Sequence, residues 1–442
     1  MIFSAINRKL DALVRAHVDH GTFSGSVLVA EGQRALLRKG YGKASIELNV
    51  LLTPRHAFRI GSVAKILTAS AVLRLVDAGQ LSVDDRLSTS LPDFLDAEGV
   101  TLHHLLSNTS GIADHITRKD AASWCGCPHT LPELIDLIAE APCLFEPGSR
   151  FSYSNANWAL LAAVLEHTTE KPFAEALSEL VSAPLGLTRT TVGMDYPLVR
   201  GRASGYQLDG QAVRPAAYID LSVEIGAGGI YSTVDDLHRL KNALAEDGFL
   251  ASRTRRHMLT PVAQDASMGG GATGYGYGVM TGERFGRAWW GHSGATFGFT
   301  SFLTHYPGDD VTVIVLSNLD NGSAAGLEHD LAAVVFGEPY NLPSDLPEVG
   351  VARDVLATYE GTYRTEFTGR SLDARVKHVE DHLCVTFPLL PTARLRALSP
   401  TRFQGRLKGG EVTFEFVVEQ DQIVGTKLDW LGHKLFAPRL EP

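Results

Sequence analysis

Ser62 opens its helix within the run Phe58-Arg-Ile-Gly-Ser62-Val-Ala-Lys65, which sets a hydroxyl on a first helical turn and an amine three residues later. Residues three apart share a helix face, so the amine can reach the hydroxyl. An apolar setting disfavours the ammonium form and lowers the lysine pKa, so that the amine can take the serine proton. The positive end of the helix also favours negative charge developing beside Ser62. Taken alone, Ser-x-x-Lys is far more commonly a serine cap before an exposed lysine. Two features set this one apart. It occurs once in the chain, and its lysine lies in a segment, Ser62 to about Ala78, that is apolar nearly all round. Such a helix is buried at the centre of a domain.

Two further groupings supply what acyl chemistry at Ser62 needs. Arg150-Phe-Ser-Tyr153-Ser-Asn155-Ala-Asn157 opens another helix. A tyrosine there can relay a proton when nearby cations favour its phenolate, and Asn155 can hydrogen-bond both the lysine and a substrate amide. A turn with an asparagine cap is the plainer reading of the same residues. Trp289-Trp-Gly-His292-Ser-Gly294-Ala295 ends an apolar strand. Gly294 allows a substrate backbone to approach the strand. The backbone N–H groups of Ser62 and Ala295 can form an oxyanion hole, with His292 directing a polar group into the same space. A lone histidine is more commonly a satisfied structural residue. Gly291-His-Ser293-Gly-Ala295 imitates a nucleophile elbow, but it ends in alanine and no helix follows directly, so Ser293 is set aside. The stretch His115–His129, with Trp124, Cys125 and Cys127, lies between the first two groupings and is the expected pocket-lining loop, with Trp124 as a substrate contact.

The elements that must position these residues follow from periodicity. Leu10, Leu13, Val14 and Val18 give an amphipathic N-terminal helix. Gly25–Glu31 and Ala35–Tyr41 read as a hairpin. Helices follow at about Leu102–Leu106, from Leu131 behind the cap Thr130, at about Asn155–His167, at Pro172–Val181, and after the overlapping capping patterns Ser232–Asp235 and Thr233–Asp236. Strands return at Tyr277–Met280, Arg287–Gly291, Phe297–His305 and Val311–Leu316, and a helix at Ala324–Phe336 closes the region. Strands at both ends with helices between predict an α+β fold whose sheet joins the ends of that domain. Asn341–Glu348 reads as a linker. Beyond it Val376/Val379, Leu383/Val385/Phe387, Val412/Phe414/Phe416 and Ile423/Leu428/Trp430 recur at strand spacing, with turns at Gly409-Gly410 and Gln420-Asp421. Residues 350–442 are therefore expected to form a small all-β barrel.

The 442 residues carry a formal charge of −10, with no basic tract to grip phosphates, which argues against a nucleic-acid partner. No apolar run approaches the roughly 18 residues needed to span a bilayer, so no membrane partner is expected. The N-terminal helix lacks the apolar core of a signal peptide, which predicts a cytoplasmic location. Cys125, Cys127, Cys143 and Cys384 fit free thiols in a reducing compartment. Cys125-Gly-Cys127 near His129 lacks a second ligand pair at finger-like spacing, so no metal is expected.

The ordered set Ser62-x-x-Lys65, Tyr153-x-Asn155 and His292-x-Gly294 resembles the penicillin-recognising serine hydrolases. Within them it is similar to the branch of class C β-lactamases, D-aminopeptidases and β-lactamase-like esterases. Thr101–Gly111, Glu146–Tyr153, Gly228–Asp235 and Ser317-Asn318 support the match over about residues 5–340. The resemblance implies a β-lactamase/transpeptidase-like catalytic domain at 1–340, with an antiparallel sheet flanked by helices and an all-α region. The 350–442 part is similar to the lipocalin-like barrels attached to several members. The resemblance also implies that Ser62 attacks a carbonyl to form an acyl-enzyme, that Lys65 and Tyr153 share the proton transfers, and that Asn155 orients the substrate amide. No cofactor is implied. His292 departs from the Lys-Thr-Gly of β-lactamases: a lysine offers a permanent cation to a substrate carboxylate, whereas histidine near pH 7 is mostly neutral. This shifts the expected substrate from β-lactams and carboxylate-tailed peptides toward amides or esters of small, D-residue-containing compounds. Two other readings stand beside hydrolysis. In one, an amine replaces water, as in an acyl transferase or a peptide cyclase of the penicillin-binding-protein type. In the other, a binding protein keeps the fold without catalysis.

Overall fold

The apolar run Gly25–Glu31 becomes a strand buried along all its length except Glu31, because it has neighbours on both sides. In the computed structural model it pairs with Arg34–Tyr41 on one edge and with Val311–Ser317, from far along the chain, on the other. The structure describes residues 2–440 except 93, 95–98, 119, 194–197, 210–211, 265–270, 321, 344–347, 368–369, 388–391, 408–409, 421 and 431–432. Outward from Val311–Ser317 the sheet continues through Phe299–Tyr306, Arg287–Thr296, Met280–Arg284, Ala272–Tyr275 and Ala263–Gln264. All of these pairings are antiparallel. The expected joining of early and late strands in one sheet is what is found.

The helix Ile2–Asp19 buries Leu10, Leu13 and Val14 and packs against both Arg34–Tyr41 and the helix Ala324–Phe336. Ala64–Asp77 has eleven buried residues, as its all-round apolar sequence requires, and packs against Ala156–Thr169. The helices at Leu102–Leu106 and Leu131–Ala139 lie where their patterns put them, the second with a Thr130/Glu133 capping box. Of the two overlapping caps near 233, Thr233 wins: its hydroxyl accepts from the Asp236 N–H and the helix runs Val234–Ala245. Tyr277–Met280 is not one strand. Gly276 and Gly278 (φ +71°) break it, and a Cβ on Gly278 would lie 2.8 Å from the Lys65 carbonyl oxygen, so the segment turns beneath the Ser62 helix. Among the described residues no helix is long and apolar enough to cross a membrane.

Beyond the first region eight strands from Gly361–Phe367 to His433–Pro438 follow one another in chain order. The sheet curls until Tyr363 bridges Arg439 and the Leu440 N–H donates to the Thr362 carbonyl at 2.8 Å, which makes a nearly closed barrel. Its interior is filled: Tyr363, Phe403, Phe414 and Phe416 are buried there, with Tyr359 stacked on Phe416 at 4.2 Å. Eight strands leave just the width that such side chains occupy. Val379 faces solvent rather than the core, and a short helix, Arg353–Thr358, buries Leu356 in the barrel although no strand pattern announced it. Of the turns expected here, Gln420 adopts a left-handed conformation, whereas Gly409, Asp421 and residues 344–347 of the linker lie outside the described residues.

Two histidines are locked into the first region away from its cavity. His17 bonds Thr22 and His305 bonds Thr312, each at 3.1 Å, and burial holds both imidazoles down to about 4. The unfolded chain takes up protons at these positions as pH falls below 6.5, while the folded one does not. The stability they contribute is thus present above pH 6.5 and lost as pH falls toward 4. Going from pH 7 to pH 5 should cost about 2–4 kcal/mol for the pair. Thermal melts of wild type and of a His17→Gln/His305→Gln variant check this. The variant should lose less melting temperature over that interval, and a flat wild-type profile would contradict the burial.

Candidate active site

Ser62 lies on a tight turn, Gly61–Val63, that leads directly into the helix Ala64–Asp77. Gly61 is needed there: its φ is +48°, and a Cβ would sit 2.7 Å from the Ala295 nitrogen. The turn is pressed against the His292 strand. The Ile60 carbonyl accepts from the Ser301 hydroxyl at 2.6 Å and lies over Gly294, where a Cβ would come within 2.1 Å of it. Gly294 therefore admits the Ser62 turn, and the room expected there for a substrate backbone is filled by the protein itself. The same packing brings the Ser62 and Ala295 amides onto one wall, since a Cβ on Gly294 would be 3.1 Å from the Ser62 nitrogen.

Lys65 has no exposed surface. Its Nζ is 2.9 Å from Ser62 Oγ, 2.8 Å from Asn155 Oδ1 and 3.1 Å from the Ala227 carbonyl oxygen. The last two groups can only accept. A neutral amine would give them its two protons and turn its lone pair to the Ser62 hydroxyl, and this is the arrangement proton removal requires. Lys65 Nζ also lies over the Tyr153 ring, 4.9 Å from its centre. Tyr153 is carried by the segment before the helix Ala156–Thr169, which Asn108 clamps. The Asn108 carbonyl accepts from the Ser152 N–H at 2.9 Å, and its Oδ1 accepts from the Ser154 N–H at 3.2 Å and from Asn157 Nδ2 at 2.9 Å. Asn155 stands at the helix start without capping it. Its side chain instead bridges Lys65 and Asp114, donating from Nδ2 to Asp114 Oδ2 at 3.1 Å, which fixes which end of the amide faces the lysine.

His292 does not direct a polar group into the cavity. It is buried behind Tyr153, with ring centres 6.1 Å apart. Nδ1 contacts the Ser293 carbonyl at 2.5 Å and Nε2 contacts the Tyr275 hydroxyl at 3.2 Å. A carbonyl only accepts, so Nδ1 carries the proton and Nε2 accepts from the phenol. Burial, and then Lys65, hold the imidazole down to about 3, while burial raises the Tyr275 phenol well above its usual range. His292 is thus a neutral ring supporting the Tyr153 side of the site. Ser293 contacts Met280 in mid-strand and offers no elbow.

A cavity of about 440 Å³ opens in front of Ser62, bordered by Asn155, Ala227 and Ala295. Ile116, Ala121, Cys125 and Gly126 of the 115–129 loop line it. Trp124 does not: its ring stacks on His115 at 6.0 Å and meets His129 edge-on. Cys125 is a poor nucleophile there, its thiol pushed up to about 11 by burial and by the nearby Glu224 carboxylate. Cys125, Cys127 and Cys384 are free thiols, and among the described residues no three His, Cys, Asp or Glu side chains gather as a metal site. Sequence reasoning missed Asp114, Ala227 and Glu224. Asp114 follows the Thr101–Gly111 stretch by three residues, and Ala227 sits in Gly226-Ala-Gly-Gly229, where a Cβ on Gly226 would lie 2.1 Å from the Trp158 carbonyl. That crowded glycine run was the available signal.

Residues 10–336 match the family model described as Beta-lactamase. A protein of Bacillus subtilis named as penicillin-binding protein PbpX is 28% identical over 304 residues, covering 69% of this chain and 73% of that protein. The crystal structure of SurE superposes with a TM-score of 0.66 at 26% identity over 99% of both chains. D-amino acid amidase from Ochrobactrum anthropi SV3, solved with D-phenylalanine, shares the fold at a TM-score of 0.67 and 22% identity, covering 75% of this chain and 99% of that one.

Asp114 accepts from both the Asn155 backbone N–H, at 3.2 Å, and its side chain, so it holds the group that holds Lys65. Asp114→Ala should slow covalent labelling of the protein by a fluorophosphonate about tenfold or more, as expected for loss of a charge-assisted pair. Far-UV circular dichroism should be retained. Labelling at the wild-type rate would show that Asn155 needs no such anchor.

Proposed function

The chain belongs to the beta-lactamase family of penicillin-recognising serine hydrolases, and we propose that it cleaves amide or ester bonds of small, D-residue-containing peptides or esters through an acyl-enzyme on Ser62. One observation carries this reading: Lys65 Nζ, wholly buried, stands 2.9 Å from the Ser62 hydroxyl and also meets Asn155 Oδ1 and the Ala227 carbonyl, groups that only accept. In this mechanism Lys65 takes the Ser62 proton as the oxygen attacks the substrate carbonyl. The charge that develops on the carbonyl oxygen is met by the Ser62 and Ala295 N–H groups. Tyr153, beside Lys65, carries the proton on to the leaving nitrogen or oxygen, and collapse of the tetrahedral intermediate leaves the acyl group on Ser62. Water then reverses the sequence and restores the serine. The domain at 1–340 holds all of these groups, and the barrel at 350–442 forms a second domain.

The substrate class has two supports. His292 is neutral and enclosed, so the cation with which a Lys-Thr-Gly strand would meet a substrate carboxylate is missing from this position. D-amino acid amidase, solved with D-phenylalanine, shares the fold, and SurE, which spans nearly the whole chain, has been solved with D-Leu.

Ser62→Ala should abolish the mass increase that a fluorophosphonate or β-lactam produces on the intact protein. Lys65→Ala should slow acylation by about 10²–10⁴-fold while leaving the fold in place. Labelling that persists in Ser62→Ala would move the nucleophile elsewhere. Hydrolysis of D- over L-amino acid amides and p-nitrophenyl esters, followed by product analysis, tests the substrate class and whether water is the acceptor.

A further inference from the structure

Acyl transfer at Ser62 leaves one carboxylate in the cavity unused. Glu224 ends the short turn Leu221–Glu224, is 8% exposed, and borders the same cavity as Ser62. Its Oε1 accepts from the Thr296 hydroxyl at 2.9 Å, while Oε2 has no hydrogen-bond partner among the described residues. Gly228 leaves room beside that oxygen, since a Cβ there would lie 3.0 Å from it. Thr296 directly follows Ala295, so the carboxylate is tied to the segment that faces the Ser62 amide. Among the described residues bordering the cavity Glu224 is the sole charged side chain, and the nearby Lys65 amine of the acylation machinery is already held by Ser62, Asn155 and Ala227.

A buried carboxylate with unused acceptor capacity is costly unless something donates to it. A neutral ligand donor would satisfy it only in part, and an anionic one would be repelled. A primary ammonium supplies three donors and the opposite charge. We propose that Glu224 binds a free ammonium group of the acyl donor, close to the carbonyl that Ser62 attacks, so that the cavity selects substrates with an unblocked amine over their N-acylated counterparts. This rests on Ser62 being the acylated residue, and it assigns to Glu224 a selection that the hydrolytic reading leaves open.

Protection of Ser62 from a fluorophosphonate tests the two ideas separately. Phenylalanine amide and N-acetylphenylalanine amide, each in D and L forms, are compared as protectants while labelling is followed by intact mass. The free amine should protect wild type at about 10- to 100-fold lower concentration than its acetylated partner in at least one stereochemical series. In Glu224→Gln the members of each pair should protect alike. Equal protection within both pairs in wild type overturns the proposal, as does a preference that survives in Glu224→Gln. Failure of Ser62 to label at all would instead overturn the nucleophile assignment. Should Glu224→Gln not fold, the wild-type comparison still decides.

Discussion

A lysine with no exposed surface is the demand around which the catalytic region is organised. Removing an amine from water costs several kcal/mol unless the interior returns hydrogen bonds, and a charged one costs more. Here three elements return them: the Ser62 turn, the start of the helix Ala156–Thr169, and the Gly226–Gly229 loop. Each is held in turn from outside. Asp114 holds Asn155, Asn108 clamps the segment leading into it, and the missing side chain at Gly226 lets the loop press onto Trp158. The lysine thereby specifies the separation of elements distant in sequence, and a shift in any one of them leaves a polar group buried without a partner.

The strand that carries His292 acts as the opposing jaw. Ile60, Gly61 and Gly294 meet with no space for side-chain atoms, so the nucleophile turn has one way to lie against the sheet. This explains how the Ser62 and Ala295 amides come to share a wall without a dedicated loop. It also places His292 behind the surface: the alternation that turns one residue toward the cavity turns its neighbour into the layer beneath. Tyr275 fills that layer, lying edge-on to both His292 and Tyr153.

Much of this was legible from residue types and spacing. The apolar wrap around Lys65, the Tyr153-x-Asn155 pair and the closing helix Ala324–Phe336 were all readable, because each is a local pattern of period or spacing. The barrel was legible for the same reason, its alternating Val412, Phe414 and Phe416 pointing inward. What escaped depends on partners that sequence does not place side by side. Trp124 was expected in the cavity because its loop lies between the Ser62 and Tyr153 groupings, yet His115 and His129 give its ring a better seat. Gly294 signalled close approach correctly, but what approaches it is the chain itself. Asp114 and Glu224 look like ordinary surface acids until the fold buries them. Tyr277–Met280 read as a strand because alternation alone does not register that Gly278, pressed beneath the Ser62 helix, must bend.

The pairing of Gly25 with Ser317 sets a condition on how this protein is made. A ribosome synthesises residues 25–31 early, but the partner that completes their hydrogen bonds emerges almost three hundred residues later, some tens of seconds at about 5–20 residues per second. Until then the nascent chain carries an apolar hairpin with one open edge and a helix whose lysine lacks its acceptors. Such an edge is a template for intermolecular pairing. The N-terminal half therefore passes through synthesis in a form that favours chaperone capture, and the nucleophile, although translated first among the active-site groups, is among the last to reach its working position.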